Sequence, residues 1–95
     1  MKNLTISIML SEYLRWRKSV GAEYISTHEF EHARDWIKEK FNKLHTLGTI
    51  DREWRRMRAS GIVEVKPAKI PGKREQTWKI IEVYNPDRSA ILRLR

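Results

Sequence analysis

Past Gly61 the apolar side chains change their spacing. Before it they recur every three or four residues; over residues 62–65, "IVEV", and 77–83, "TWKIIEV", they follow a period of two. The first spacing buries a stripe along a helix, and the second buries one face of a strand. The chain therefore reads as α+β, with helices first and a small antiparallel hairpin after them. Its 95 residues suffice for one domain with one modest core.

The helices can be placed one by one. Ile6, Met9, Leu10, Tyr13, Trp16 and Val20 share one face of a first helix, and Gly21 stands where a helix end favours a left-handed residue. Tyr24 and Ile25 suit a brief strand. Ser26 is a good N-cap, Glu29 completes a capping box, and Ile25 with Phe30 forms a hydrophobic staple. The second helix is predicted over residues 27–44, with Phe30, Ala33, Ile37, Phe41 and Leu44 as its stripe, before "HTLGT" breaks it. Thr49 is the predicted N-cap of a third helix whose inner face is Ile50, Trp54 and Met57, ended by Gly61.

Between the two strands lies "KPAKIPGKREQ", a long loop rich in proline and basic residues. "NPD" (85–87) reads as a turn, and "AILRLR" as a short apolar-basic tail and candidate strand. Residues 1–84 are thus assigned to one domain and 85–95 to a C-terminal extension. Of the four tryptophans, Trp16 and Trp54 read as core and Trp78 as a cover for it; Trp36 falls off its helix stripe, against the first helix or on a partner or dimer surface.

Charge narrows the function. The chain carries 20 Lys and Arg against 12 Asp and Glu, a net +8. Residues 1–48 hold only +2 of this, and residues 49–95 hold +6. A basic half on a small domain points to a polyanion, most often nucleic acid. With no cysteine there is no disulfide and no thiolate metal site. No run is long and apolar enough to span a membrane, and the start lacks a small-residue cleavage site, so a cytoplasmic location is expected.

One motif argues for something else. "THEFEH" (27–32) contains H-E-x-x-H, in which two His one turn apart hold zinc and the Glu acts as general base. The second helix's stripe turns His28 and His32 outward, Glu29 is used by the cap, and neither His45, Asp35 nor Glu39 makes a third ligand. Surface zinc held by the histidine pair is the milder reading; a hydrolase is not expected. No glycine-rich phosphate loop, cysteine nucleophile or Ser-His-Asp spacing is present, so neither an enzyme nor a cofactor is expected.

The order helix, short strand, helix, turn, helix, strand, basic loop, strand resembles the winged helix-turn-helix family, in its small prokaryotic or phage form. The resemblance spans residues 6–83 and rests mainly on "TIDREWRRMRASGIVEV" (49–65), a capped helix with spaced arginines leading through Gly into an apolar strand. The long wing and the C-terminal extension depart from the pattern. The resemblance implies that the third helix enters the DNA major groove and that the wing touches the neighbouring backbone or minor groove.

The residues suit those roles on their own terms. Opposite the apolar face of the third helix stand Arg52, Arg55, Arg56 and Ala59. Arginine is the commonest base-specific contact, bidentate to guanine, and also grips phosphate. Arg52 has an equal claim to a packing role between elements. Lys66, Lys69, Lys73 and Arg74 in the wing, with Lys79 on the returning strand, suit phosphate contact. With Thr49 at the helix start, these are the candidate DNA-binding residues; free N–H groups near Ser26 and Thr27 are a weaker phosphate site. The expected function is sequence-specific double-stranded DNA binding in transcriptional regulation. The alternative is a protein-interaction module, such as a phage-encoded modulator of a host complex. Homodimerisation stays open.

Overall fold

A computed structural model describes residues 5–84; the turn at 85–87 and the "AILRLR" tail lie outside the described residues. The elements are α1 (Ile6–Ser19), β1 (Tyr24–Ser26), a 3-10 turn (Thr27–Glu29), α2 (Phe30–Phe41), α3 (Leu47–Ser60), β2 (Val63–Ala68) and β3 (Thr77–Val83). The chain is α+β, three helices packed with a three-stranded antiparallel sheet of order β1-β3-β2. The hairpin read from the sequence is therefore two-thirds of a sheet. Its third member is the brief strand at Tyr24, which pairs along β3 from Tyr24↔Lys79 to Ser26↔Thr77.

Helix ends account for most differences from the sequence reading. α1 is capped by Thr5, whose Oγ1 accepts the Ile8 N–H at 3.3 Å. It ends as predicted at Gly21, with φ +87° and its N–H donating to the Lys18 carbonyl. The capping box at Ser26 forms, and Glu29 Oε2 accepts the Ser26 N–H at 2.8 Å. The turn it caps is 3-10, so the α-helix starts at Phe30 instead of Thr27. α2 also stops three residues early, because Asn42 takes the left-handed conformation (φ 54°) that asparagine tolerates better than most side chains. Leu44 is consequently 70% exposed and not part of the stripe.

Thr49 is not the cap of α3. Thr46 holds that place, its Oγ1 accepting the Thr49 N–H at 3.1 Å, and Leu47 and Gly48 lie inside the first turn. Glycine disfavours a helix interior by only about 1 kcal/mol, and three core side chains further along anchor this one. Ile50, Trp54 and Met57 are all fully buried, as predicted.

The core joins the helices to one face of the sheet through Leu10, Tyr13, Leu14, Ile37, Trp54 and Ile80. Trp54 meets Phe30 and Trp78 edge-on, at centroid distances of 6.3 and 5.4 Å. Trp16 does not join it: its residue is 45% exposed. Leu14 is fully buried, and a side chain two residues on points about 200° away around the helix. Trp16 lies instead beside Tyr13 and Trp36, at 6.1 and 5.9 Å, and Val20 is exposed as well.

β2 runs further than "IVEV", through Lys66, Pro67 and Ala68. Pro67 is accommodated because β2 is an edge strand, where a missing N–H costs no ladder bond. The connecting loop shortens to residues 69–76. Its tip is a turn in which the Lys73 N–H donates to the Ile70 carbonyl at 3.0 Å around Pro71 and Gly72 (φ +84°), the pattern of a type II turn.

Candidate nucleic-acid interface

The outer face of α3 carries the three predicted arginines. Arg52, Arg55, Arg56 and Ala59 are all exposed. Their surroundings differ. Arg55 Nη2 stands 3.2 Å from Asp51 Oδ2, one turn back. Arg56 Nη1 stands 3.7 Å from Glu53 Oε2, and that carboxylate is buried and accepts a hydrogen bond from Ser7 Oγ on α1. Arg52 has no ion pair among the described residues, and its exposure leaves no room for the packing role. An i,i+4 pair at a helix surface contributes only about 0.3–0.5 kcal/mol, so Asp51 biases Arg55 without locking it, whereas the carboxylate facing Arg56 is buried. Thr49 is half-buried in the first turn, and its hydroxyl lies 2.9 Å from that of Thr46.

A fourth arginine escaped the sequence reading. Arg58 is half-buried, with its guanidinium carbon 4.6 Å from the Trp78 ring centroid and 5.7 Å from that of Trp54. It follows Trp54 by four residues, which places the two on one flank of α3. That half of the stack was legible from spacing. Trp78 comes from β3, twenty residues later, and no local pattern announces it.

Lys66, Lys69, Lys73 and Arg74 are exposed, and none forms an ion pair among the described residues. Lys79, on the central strand, is half-buried. Sheet register fixes where the basic loop emerges. Thr77 at the start of β3 is opposite both Ala68 at the end of β2 and Ser26 at the end of β1. The loop thus leaves the sheet at the end where β1 passes into the turn before α2. Glu75 at the loop's foot comes within 3.9 Å of His28 in that turn. Next to it, Thr27, His28 and Glu31 line a cleft with Leu47, Gly48 and Asp51 of α3. The starts of α2 and α3 and the foot of the basic loop therefore share one end of the molecule. Ser26 contributes no phosphate site there: it is buried, and its N–H is held by Glu29. Thr27 is exposed.

The H-E-x-x-H residues do not assemble. His28 lies in the 3-10 turn and His32 in α2, so one continuous α-helix does not carry both. Glu29 accepts the Ser26 N–H and pairs with Arg17 at 3.0 Å. Among the described residues no three His, Cys, Asp or Glu side chains converge as metal ligands.

Tyr13, Trp16, Trp36 and Phe41 form a chain of ring contacts between α1 and α2, with Lys40 Nζ 4.9 Å from the Trp36 ring centroid. Trp36 therefore packs on α1, the first of its two predicted places. Burial pushes the Tyr13 hydroxyl above its usual value of 10.0, opposed by the neighbouring Arg17. Among the described residues no helix is long and apolar enough to cross a membrane. Comparison with protein-family models, curated proteins and solved structures finds no match to this chain.

Proposed function

We propose that the chain is a winged helix-turn-helix domain that binds double-stranded DNA and acts in transcriptional regulation. α3 is the reading helix, and the β2–β3 loop is a wing on the phosphate backbone. The observation that carries this reading is the outward ridge of Arg52, Arg55 and Arg56 on a helix whose start lies near the foot of a loop bearing Lys69, Lys73 and Arg74, with Lys66 on the strand leading into it. An α-helix fits the major groove, and flexible basic side chains flanking it suit phosphates. Thr27, in the 3-10 turn before α2, and Thr49, in the first turn of α3, suit contact with the backbone between them.

The test is duplex binding by fluorescence anisotropy across a salt series. Log affinity is expected to fall with log salt by about 0.9 per phosphate neutralised. Replacing Lys66, Lys69, Lys73 and Arg74 by Ala is expected to weaken every duplex alike and to flatten that slope by about one unit per side chain removed. A wild-type chain without salt-dependent affinity for any duplex overturns the proposal.

A second reading draws on a different observation. Trp16 and Val20, one turn apart on α1, are both exposed. An exposed apolar pair of this kind suits a protein-interaction module, with DNA playing no part. Recovery of a stoichiometric protein partner free of nucleic acid, lost in Trp16→Ser, favours that reading.

A further inference from the structure

The four arginines of α3 differ in what holds them, and the difference sorts their roles. Arg58 is stacked on Trp78 and Trp54 and is turned to the sheet side of the helix. Arg56 leans toward the buried Glu53, which is itself tied to α1 through Ser7. Arg52 is exposed and has no ion pair among the described residues, so its guanidinium samples many rotamers. Only Arg55 is both on the outward ridge and paired with a carboxylate that solvent reaches: half-buried Asp51 places Oδ2 3.2 Å from its Nη2, with side-chain exposures of 39% and 63%.

A carboxylate beside a guanidinium narrows the directions it samples and leaves its other N–H donors available as a fork. That fork matches O6 and N7 of guanine, a two-point contact that a freely rotating arginine makes at greater entropic cost. The carboxylate keeps a second oxygen. In the major groove the base opposite guanine offers the N4 amino donor of cytosine, which a carboxylate accepts. One turn before this pair stands Gly48, where an added Cβ would meet nothing nearer than the Thr46 hydroxyl at 4.0 Å. Nothing inside the molecule requires glycine there, and the missing side chain leaves the helix backbone open to close approach beside Asp51.

We infer that Arg55 and Asp51 form a single reading unit for one G·C base pair, with Arg55 on guanine and Asp51 as the positioning residue and cytosine acceptor, while Arg52 and Arg56 contact phosphate. This rests on the DNA-binding reading above. It adds which base pair is read and by which two side chains.

Selection from a random duplex library, run in parallel on the wild type and three variants, tests it. The wild-type site is expected to contain an invariant G·C pair. Arg55→Lys keeps the charge and loses the fork; preference at that pair is expected to fall about tenfold or more while the salt slope is unchanged. Asp51→Asn, which keeps shape and removes the acceptor charge, is expected to relax the same pair and no other. Arg52→Ala, which removes a phosphate contact, is expected to weaken every duplex alike without relaxing that pair. Circular dichroism and thermal melting of each variant confirm the fold, so that a lost preference is not a lost structure. If the wild type selects no duplex, the DNA-binding reading itself fails. If it selects a site and Arg55→Lys leaves that site unchanged, or if the G·C preference follows Arg52, the DNA reading stands and the Arg55–Asp51 assignment is overturned.

Discussion

At the scale of single residues, α3 serves two masters. Its outer side chains face solvent, while Glu53 and Arg58 on its flanks fasten it to α1 and to the sheet. Arg58 lies against two indole rings that touch each other and has a buried Nε without a hydrogen-bond partner among the described residues. Cation–π contact of a partly desolvated guanidinium contributes about 1–2 kcal/mol, and the stem adds packing. Arg58→Ala is expected to lower stability in urea melts by about that amount, with Arg58→Lys falling between. Gly48→Ala is expected to act in the opposite sense: the site is sterically open and helical, so stability rises by about 0.5–1 kcal/mol. On the proposed reading duplex affinity falls in the same variant, a pairing of signs that a merely structural glycine does not produce. The outward direction of Arg52, Arg55 and Arg56 was legible from sequence, because 100° per residue fixes it once Ile50, Trp54 and Met57 point inward. The inequality among those arginines was not. It depends on Ser7 and Trp78, which come from other elements.

At the scale of elements, interiors were easier to read than ends. β3 runs over the predicted residues 77–83, and the α2 box and the glycine stops at Gly21 and Gly61 stand where they were expected. The connection between α2 and α3 was misplaced. Gly48 looked like the breaker and Thr49 like the cap, yet Asn42 ends one helix and Thr46 begins the next. Both threonines are good caps by side chain, and local sequence does not choose between them. Asn42 is the side chain to test. Asn42→Gly relieves the left-handed backbone and is expected to keep or raise stability, whereas β-branched Asn42→Val is expected to lower it by about 1–2 kcal/mol in denaturant melts. The exposure of Trp16 has the same origin as the misplaced end. A stripe drawn at one spacing along α1 admits either Leu14 or Trp16 as its continuation, and the positions of α2 and α3 decide for Leu14.

At the scale of the whole molecule, charge is divided unevenly along the chain while the core draws on both halves. The aromatic chain of Tyr13, Trp16, Trp36 and Phe41 belongs to α1 and α2, in the part of the sequence with little net charge. Of the +6 in residues 49–95, α3 and the β2–β3 loop hold +4, and residues 85–95 hold the remaining +2. A sequence reading catches that asymmetry by counting, but it cannot find which elements meet, and the meeting of the loop foot with the start of α2 comes from the register of β3. Alkaline pH probes the aromatic chain. Burial raises the Tyr13 ionisation above 10.0, so the folded state favours the neutral phenol. That contribution is fully present below the unfolded value and is lost as pH rises through the folded one. Urea midpoints are expected to drop as pH rises above about 10, and to drop less in Tyr13→Phe.

The order of the sheet has a consequence for how the chain is made. β3 lies between β1 and β2, and both neighbours are translated before it. β1 is complete at Ser26, yet its partner begins only at Thr77. At about 5–20 residues per second the ribosome leaves that edge bare for roughly 3–10 s. During that interval the three helices can gather while Ile25 waits for Trp78. A nascent chain stalled before Thr77 is expected to be cut readily by protease within β1, and one released past Val83 to be protected there. The last described strand is the one that turns a set of helices and loose edges into a closed molecule.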